Sequence, residues 1–227
     1  MAWYRDEMAA LLAAKRFGAF IMAALGLAMV FLFLLDPAVS AWLQPLGDRG
    51  RAFWELCARA GGFAAVLAAS LVLALAGAAA AAVPALRRRA LDFLSWAGFS
   101  LGALGFAWGL VRLEEMLFGR PRPWAVAQGI PARFDFLNAG PEFGSMPAAQ
   151  GTAAFAFACL LSMRWPRLAP LFYALALLGG LGPVMLGQHW PSDVMVGAVT
   201  GVATVLLLRL GVTEGLNRYD ARTNPAA

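Results

Sequence analysis

Charge is scarce in this chain of 227 residues: Asp, Glu, Lys and Arg make up 14% of it, against about 25% in soluble domains. With 61% hydrophobic residues and a mean hydropathy of +0.69, that shortage excludes an ordinary soluble domain. Cysteine is equally sparse. Cys57 and Cys159 both lie in apolar surroundings, with no CxxC pair and no metal-ligand spacing, which argues against a disulfide framework or a zinc site. The length accommodates one bundle of about six spans of roughly 20 residues each and leaves no room for a second domain. The net charge of +5 does not indicate nucleic acid, because the arginines are spread over short connections rather than gathered on one polar face.

What the chain has is long apolar runs, and these predict an all-α, six-helix integral membrane bundle in a single domain. Residues 1–16 mix charges with Met8-Ala-Ala-Leu-Leu and read as an interfacial amphipathic segment or a solvated start. Span one runs from Phe17 to Leu35, ended by Asp36-Pro37. The small residues Ala38-Val39-Ser40 leave a cleaved signal segment as a lesser alternative. Span two lies between Phe53 and Val83, and span three runs from Ala90 to Val111, continuing as helix into Arg112-Leu-Glu-Glu. A long loop over 112–147, rich in Pro and Gly from Phe118 onward, precedes spans at Ala148–Met163, Leu168–Leu186 and Val194–Leu210. Residues 211–227 read as a disordered cytoplasmic tail.

In this arrangement Arg5, Lys15, Arg16, Arg87 to Arg89, Arg164, Arg167, Arg218 and Arg222 share one side. That side is expected to be cytoplasmic, with both termini on it, in a bacterial-type plasma membrane. Arg49, Arg51, Arg112, Arg120, Arg122 and Arg133 fall on the other side, against the usual bias, as if needed there. Trp42, Trp54, Trp124, Trp165 and Trp190 sit near span ends, as an interfacial belt would place them, and Trp190 has a second reading as a wall of a lipid-entry cleft.

Three short motifs carry chemistry. The chain's one histidine, His189, precedes Asp193 by four residues in Gly-Gln-His-Trp-Pro-Ser-Asp; a nearby carboxylate suits a nucleophile or general base. From this turn alone, Ser192 or Asp193 capping the last helix is as good a reading. Phe118-Gly-Arg-Pro-Arg-Pro-Trp holds Arg120 and Arg122 apart with prolines, which suits phosphate, or equally a loop touching lipid headgroups. Gly144-Ser-Met-Pro-Ala-Ala-Gln-Gly-Thr is a helix start whose free amides favour an anion.

In order, spacing and side, these motifs resemble those of the type 2 phosphatidic acid phosphatase superfamily, over roughly Glu115 to Asp193. Its first motif is a Lys, six residues and Arg-Pro; Arg122-Pro123 match, and Glu115 stands at the Lys position. Its second, Pro-Ser-Gly-His, corresponds to Pro147-Ala148-Ala149-Gln150. In its third, Gly182-Pro183 replace Ser-Arg, while His189 and Asp193 match. The resemblance implies a phosphatase or phosphotransferase of lipid-linked phosphate or pyrophosphate that needs neither metal nor cofactor. His189 would attack phosphorus, Asp193 would orient it, and Arg122, Arg120 and Gln150 would bind phosphate.

The substitutions alter that expectation. Glu115 at a Lys position repels phosphate unless it pairs with a nearby arginine, and Arg120, Arg133 and Arg112, the last one helical turn before it, are the candidates. Gln150 cannot pass a proton at neutral pH, which favours a leaving group that needs none, such as the phosphate of a lipid pyrophosphate. The lost positions also allow a non-catalytic member that binds a lipid phosphate or a membrane partner. A transporter is the third class, and the apolar spans lack the deep ionisable residues it calls for.

Overall fold

The computed structural model describes residues 15–223, so the expected N-terminal interfacial segment lies outside the described residues. Among the described residues the regular structure is helical throughout. Helices α1 (Lys15–Val30) and α2 (Asp36–Arg49) are joined without a break by a π-helical turn, Phe31–Leu35. Next come α3 (Arg51–Gly61), α4 (Phe63–Ala81), α5 (Arg87–Phe118) and the short α6 (Pro123–Ala127). The bundle is completed by α7 (Ala149–Arg164), α8 (Ala169–Met185) and α9 (Pro191–Thr223). Among the described residues, five stretches are long and apolar enough to cross a membrane: Ile21–Pro45, Phe63–Ala81, Arg87–Phe118, Pro166–Met185 and Pro191–Leu216. Helix α7, 16 residues long, is shorter than these. It lies at the centre, packed against α4, α5, α8 and α9, so protein rather than lipid covers most of it.

Three boundaries differ from the sequence reading, each for a local reason. Asp36-Pro37 does not end the first helix. A proline inside a helix removes one N–H and crowds the carbonyl four residues back. Here the preceding turn widens instead, with the Asp36 N–H bonding Phe31 O, five residues earlier. The second span is two helices rather than one, because Gly62 takes extended backbone (φ −75°, ψ 157°) between α3 and α4. The tail read as disordered is helical from 211 as far as Thr223.

Small residues set the packing, as expected where lipid supplies no hydrophobic drive between helices. A Cβ on Gly201 of α9 would stand 2.3 Å from Thr152 O, and one on Gly197 would stand 2.6 Å from Ala148 O, so α9 lies directly on α7. Gly201→Ala is expected to destabilise the bundle by about 1–3 kcal/mol through overpacking, read as a lower unfolding temperature in detergent. Around this seam Trp96, Leu104, Val111 and Leu160 fill the core, and the Trp96 indole donates to Leu160 O at 3.2 Å. Met22, Phe33, Val72, Leu75, Phe106 and Leu207 point outward, where a soluble protein would carry charge.

The helix directions place the candidate site. Helices α5 and α8 end, and α7 and α9 begin, at one end of the bundle, where the loop after α5 folds over them. The arginines read as cytoplasmic at Arg87 and Arg164 lie at the other end, where Arg164 pairs with Asp92 at 3.8 Å.

Candidate active site

The loop after α5 is an ordered strap. Gly119 ends α5 in the left-handed conformation (φ 52°), and a Cβ there would meet Asp135 O at 1.7 Å, so only glycine makes this corner. Arg120 then pairs in parallel with Gly144. The Ser145 N–H donates to Arg120 O at 3.1 Å, and the Arg122 N–H donates to Glu142 O at 2.7 Å. These bonds carry both arginines inward over the starts of α7 and α9.

Beneath the strap lies a buried polar network. Asp193, fully buried, accepts from Ser145 Oγ at 2.6 Å and from the Trp190 N–H at 2.8 Å, and it pairs with Arg120 Nη1. Its bond to Trp190 N closes the first turn of α9, with Pro191 at the first helical position. The carboxylate therefore caps α9 and at the same time lies beside His189. Arg120 Nη2 also donates to Asp36 Oδ2 at 2.7 Å. Asp36, 1% exposed, accepts the Ser192 N–H at 3.0 Å and the Ser192 hydroxyl. Trp190 and Phe134 flank the Arg120 guanidinium at 5.4 and 5.9 Å.

His189, 1% exposed, is held between this network and Arg122. Its Nδ1 lies 2.7 Å from Ser145 O. A carbonyl only accepts, so Nδ1 carries the proton and the Nε2 lone pair is free. Arg122 Nη1, which only donates, faces that lone pair at 3.3 Å, and the two contacts demand the same tautomer. Asp193 Oδ2 is 3.8 Å from Nδ1, beyond hydrogen-bond reach, and acts on the ring through Ser145 and through its field. The backbone of the turn is fixed by Pro183 O, which accepts from Gln188 N at 2.8 Å and His189 N at 3.3 Å.

Arg122 also donates to Gly144 O at 2.7 Å, Pro141 O at 3.1 Å and Gln188 O at 3.3 Å. Burial draws its pKa below the usual arginine value, while the charges of Glu115 and Asp193 oppose that, and a guanidinium stays protonated throughout.

The structure thus brings His189, Asp193, Arg122 and Arg120 together, but gives the arginines different work. Arg122 faces His189 Nε2; Arg120 has its cationic nitrogens occupied by two carboxylates. Gln150 lies in the first turn of α7, its Oε1 buried and without a partner. Arg133 is exposed at a small pocket that Leu32, Arg120 and Phe134 also line. Trp190 is buried rather than part of an exposed belt; it also lines that pocket, and its indole donates to Pro121 O at 2.9 Å. Of the three arginines named as partners for Glu115, Arg112 pairs with it, at 2.6 Å. Sequence reasoning missed Asp36, taken for a helix terminator, and Ser145, whose carbonyl and hydroxyl both serve the site. An acid inside an apolar run was the available signal for Asp36.

The described residues thus form an apolar helical bundle with its one histidine, Arg120, Arg122 and buried carboxylates gathered at one end. The model of the PAP2 superfamily matches residues 93–214, more than half of the chain, and the protein belongs to that superfamily. Among curated proteins it is similar to the lipid A 1-phosphatase of Rhizobium etli, 30% identical over 110 residues. That match covers 48% of this chain and 47% of the relative. It is also 30% identical over 116 residues to the lipid A 1-phosphatase of Rhizobium johnstonii, covering 51% and 48%. The matches therefore span about half the length of these relatives. No solved structure matches significantly.

Proposed function

We propose that the protein is a membrane-embedded phosphatase or phosphotransferase acting on lipid-linked phosphate or pyrophosphate through a phosphohistidine on His189. The observation that carries this reading is the His189 ring itself, with Nδ1 held by Ser145 O and Nε2 presented to Arg122. In the first step the Nε2 lone pair attacks phosphorus, an N–P bond forms and the P–O bond to the lipid moiety breaks. Arg122 stabilises the charge on the phosphoryl oxygens. In the second step water, or another acceptor hydroxyl, attacks the phosphohistidine, returning His189 with a phosphate or phosphorylated acceptor as product. Asp193 and Ser145 stabilise the cationic ring between the steps.

The names of the relatives support a lipid phosphate as substrate. Gln150 supplies no proton to the departing group, which favours an activated donor such as a lipid pyrophosphate. The basic residues at the end opposite the site support a cytoplasmic position for that end, with the site at the outer face of a bacterial plasma membrane.

Purified protein in detergent is expected to release phosphate from a polyprenyl pyrophosphate faster than from phosphatidate. Acid-labile, base-stable label should appear on the protein after rapid quenching. Faster release from phosphatidate rejects the pyrophosphate preference. Neither release nor label from either lipid would favour a non-catalytic lipid-binding protein.

A further inference from the structure

A pocket of about 320 Å³ opens beside the candidate site. Its walls are the end of α2 with Gln44 and Asp48, the short α6 with Pro123, Trp124 and Gln128, and the turn at Gly187. Pro123 follows Arg122 in the chain, Gly187 precedes Gln188, and Arg122 Nη1 donates to Gln188 O at 3.3 Å. The pocket is thus walled by the chain neighbours of the same contact that sets Arg122 against His189. Gly187 has a left-handed φ of 66°, and a Cβ there would stand 3.3 Å from Gln44 Nε2, so the missing side chain leaves that amide its place against the turn. None of these residues serves the phosphoryl chemistry proposed above.

The lining decides what fits. It holds no arginine or lysine, and its charged group is the Asp48 carboxylate, exposed and 3.4 Å from Arg51 Nη2, so a second phosphate is not its ligand. A hydrocarbon chain fits no better, because it would take the Gln44 and Gln128 amides and the carboxylate out of water without a partner. Trp124, 37% exposed, sets an apolar indole beside those polar groups. Amides donate and accept, a carboxylate accepts, and an indole face packs against C–H groups. A ring with hydroxyls around its edge and C–H bonds on its faces satisfies all of them. Ligand pockets run from about 300 to 1,000 Å³, and one near the lower end takes a single such ring. We propose that this pocket is a saccharide subsite, holding a pyranose ring next to the phosphoryl group at Arg122 and His189. This deepens the lipid-phosphatase reading and rests on it. Two sources of the ring keep a pyrophosphate donor. Either the ring belongs to the lipid that carries the pyrophosphate and departs as a lipid-linked sugar phosphate, or it belongs to an acceptor. In the second case its hydroxyl oxygen bonds to phosphorus as the N–P bond breaks, and the hydroxyl proton passes to water.

Both sources are tested with purified protein in a detergent that carries no sugar. For the donor, an acylglucose 1-pyrophosphate is compared with an alkyl pyrophosphate of equal chain length, and kcat/KM is expected to be at least about tenfold higher for the sugar form. For the acceptor, polyprenyl pyrophosphate labelled in its terminal phosphate is incubated with dodecyl glucoside, and label is expected on the glucoside. Either result supports the subsite, and which one is seen names the source. Trp124→Ala should bring the two pyrophosphates within about twofold and abolish labelling of the glucoside. Gln128→Ala, at an exposed position where folding is not at stake, should weaken the same readouts. Equal turnover of the two pyrophosphates with no labelled glucoside, or a preference that survives both substitutions, overturns the assignment. Saturation-transfer NMR with methyl glucoside separates this from the parent reading. Phosphate release without sugar discrimination, labelled glucoside or saturation transfer overturns only the saccharide subsite. Saturation transfer that is lost in Trp124→Ala, with no release from any pyrophosphate, overturns only the phosphatase; absence of both overturns both.

Discussion

His189→Ala is expected to lower phosphate release by about 10⁴-fold or more, the usual scale for removing a covalent nucleophile, and to abolish the phosphoenzyme. Alanine leaves neither lone pair nor proton at the position that Arg122 faces, and no other described residue offers an imidazole. His189→Gln separates position from chemistry: its amide nitrogen can donate to Ser145 O, yet it has no nucleophilic lone pair, so activity should stay equally low while folding is retained. Phosphate release within tenfold of native in either variant would remove His189 from the reaction and leave the family resemblance without its central step. The assay is colorimetric phosphate release in detergent, with circular dichroism confirming that helix content is unchanged.

Arg120→Ala is expected to act on stability before it acts on affinity. The native guanidinium is the cation shared by Asp36 and Asp193, 1% and 0% exposed respectively. Its removal strands two buried carboxylates side by side. Breaking a buried ion pair by deleting one partner costs about 3–5 kcal/mol, which for a chain of this size corresponds to a fall of roughly 10 °C or more in unfolding temperature. Arg120→Lys should recover part of the loss, since an ammonium keeps the charge but lacks the fork that reaches both acids. Activity falls with the network, because Asp36 holds Ser192 and Asp193 holds Ser145. A variant as stable as the native protein with only a raised KM would instead make Arg120 a phosphate ligand, the part its sequence context first proposed.

That contrast shows where sequence patterns stop. The helical membrane bundle was legible because the hydrophobic runs are long and charge is confined to their ends. The His189–Asp193 spacing and the Arg120–Arg122 motif were legible because each is a local string. Which arginine faces the histidine was not, since it depends on how the strap from Gly119 to Ser145 folds back, through backbone bonds between residues far apart in sequence. Asp36 was misread for the same reason. Asp-Pro is a sound stop signal taken alone, and only Arg120 and the start of α9, 84 and 156 residues away, give the acid a reason to lie inside a continuous helix. Glu115 shows the opposite case: helical spacing put Arg112 among its candidate partners, and that pair forms.

The widened π turn at Phe31–Leu35 ties the first helix to the candidate site in a way that its apolar sequence hides. By turning Asp36 inward to Arg120 and Ser192, it makes the buried network at the candidate site depend on a segment upstream of residues 93–214, the stretch shared with the family. Those residues grafted behind a different leading helix would retain the histidine, the strap and Arg122, yet Arg120 would lose one of its two counterions and α9 the acceptor at its first turn. The interchangeable unit of this protein therefore begins at the first helix.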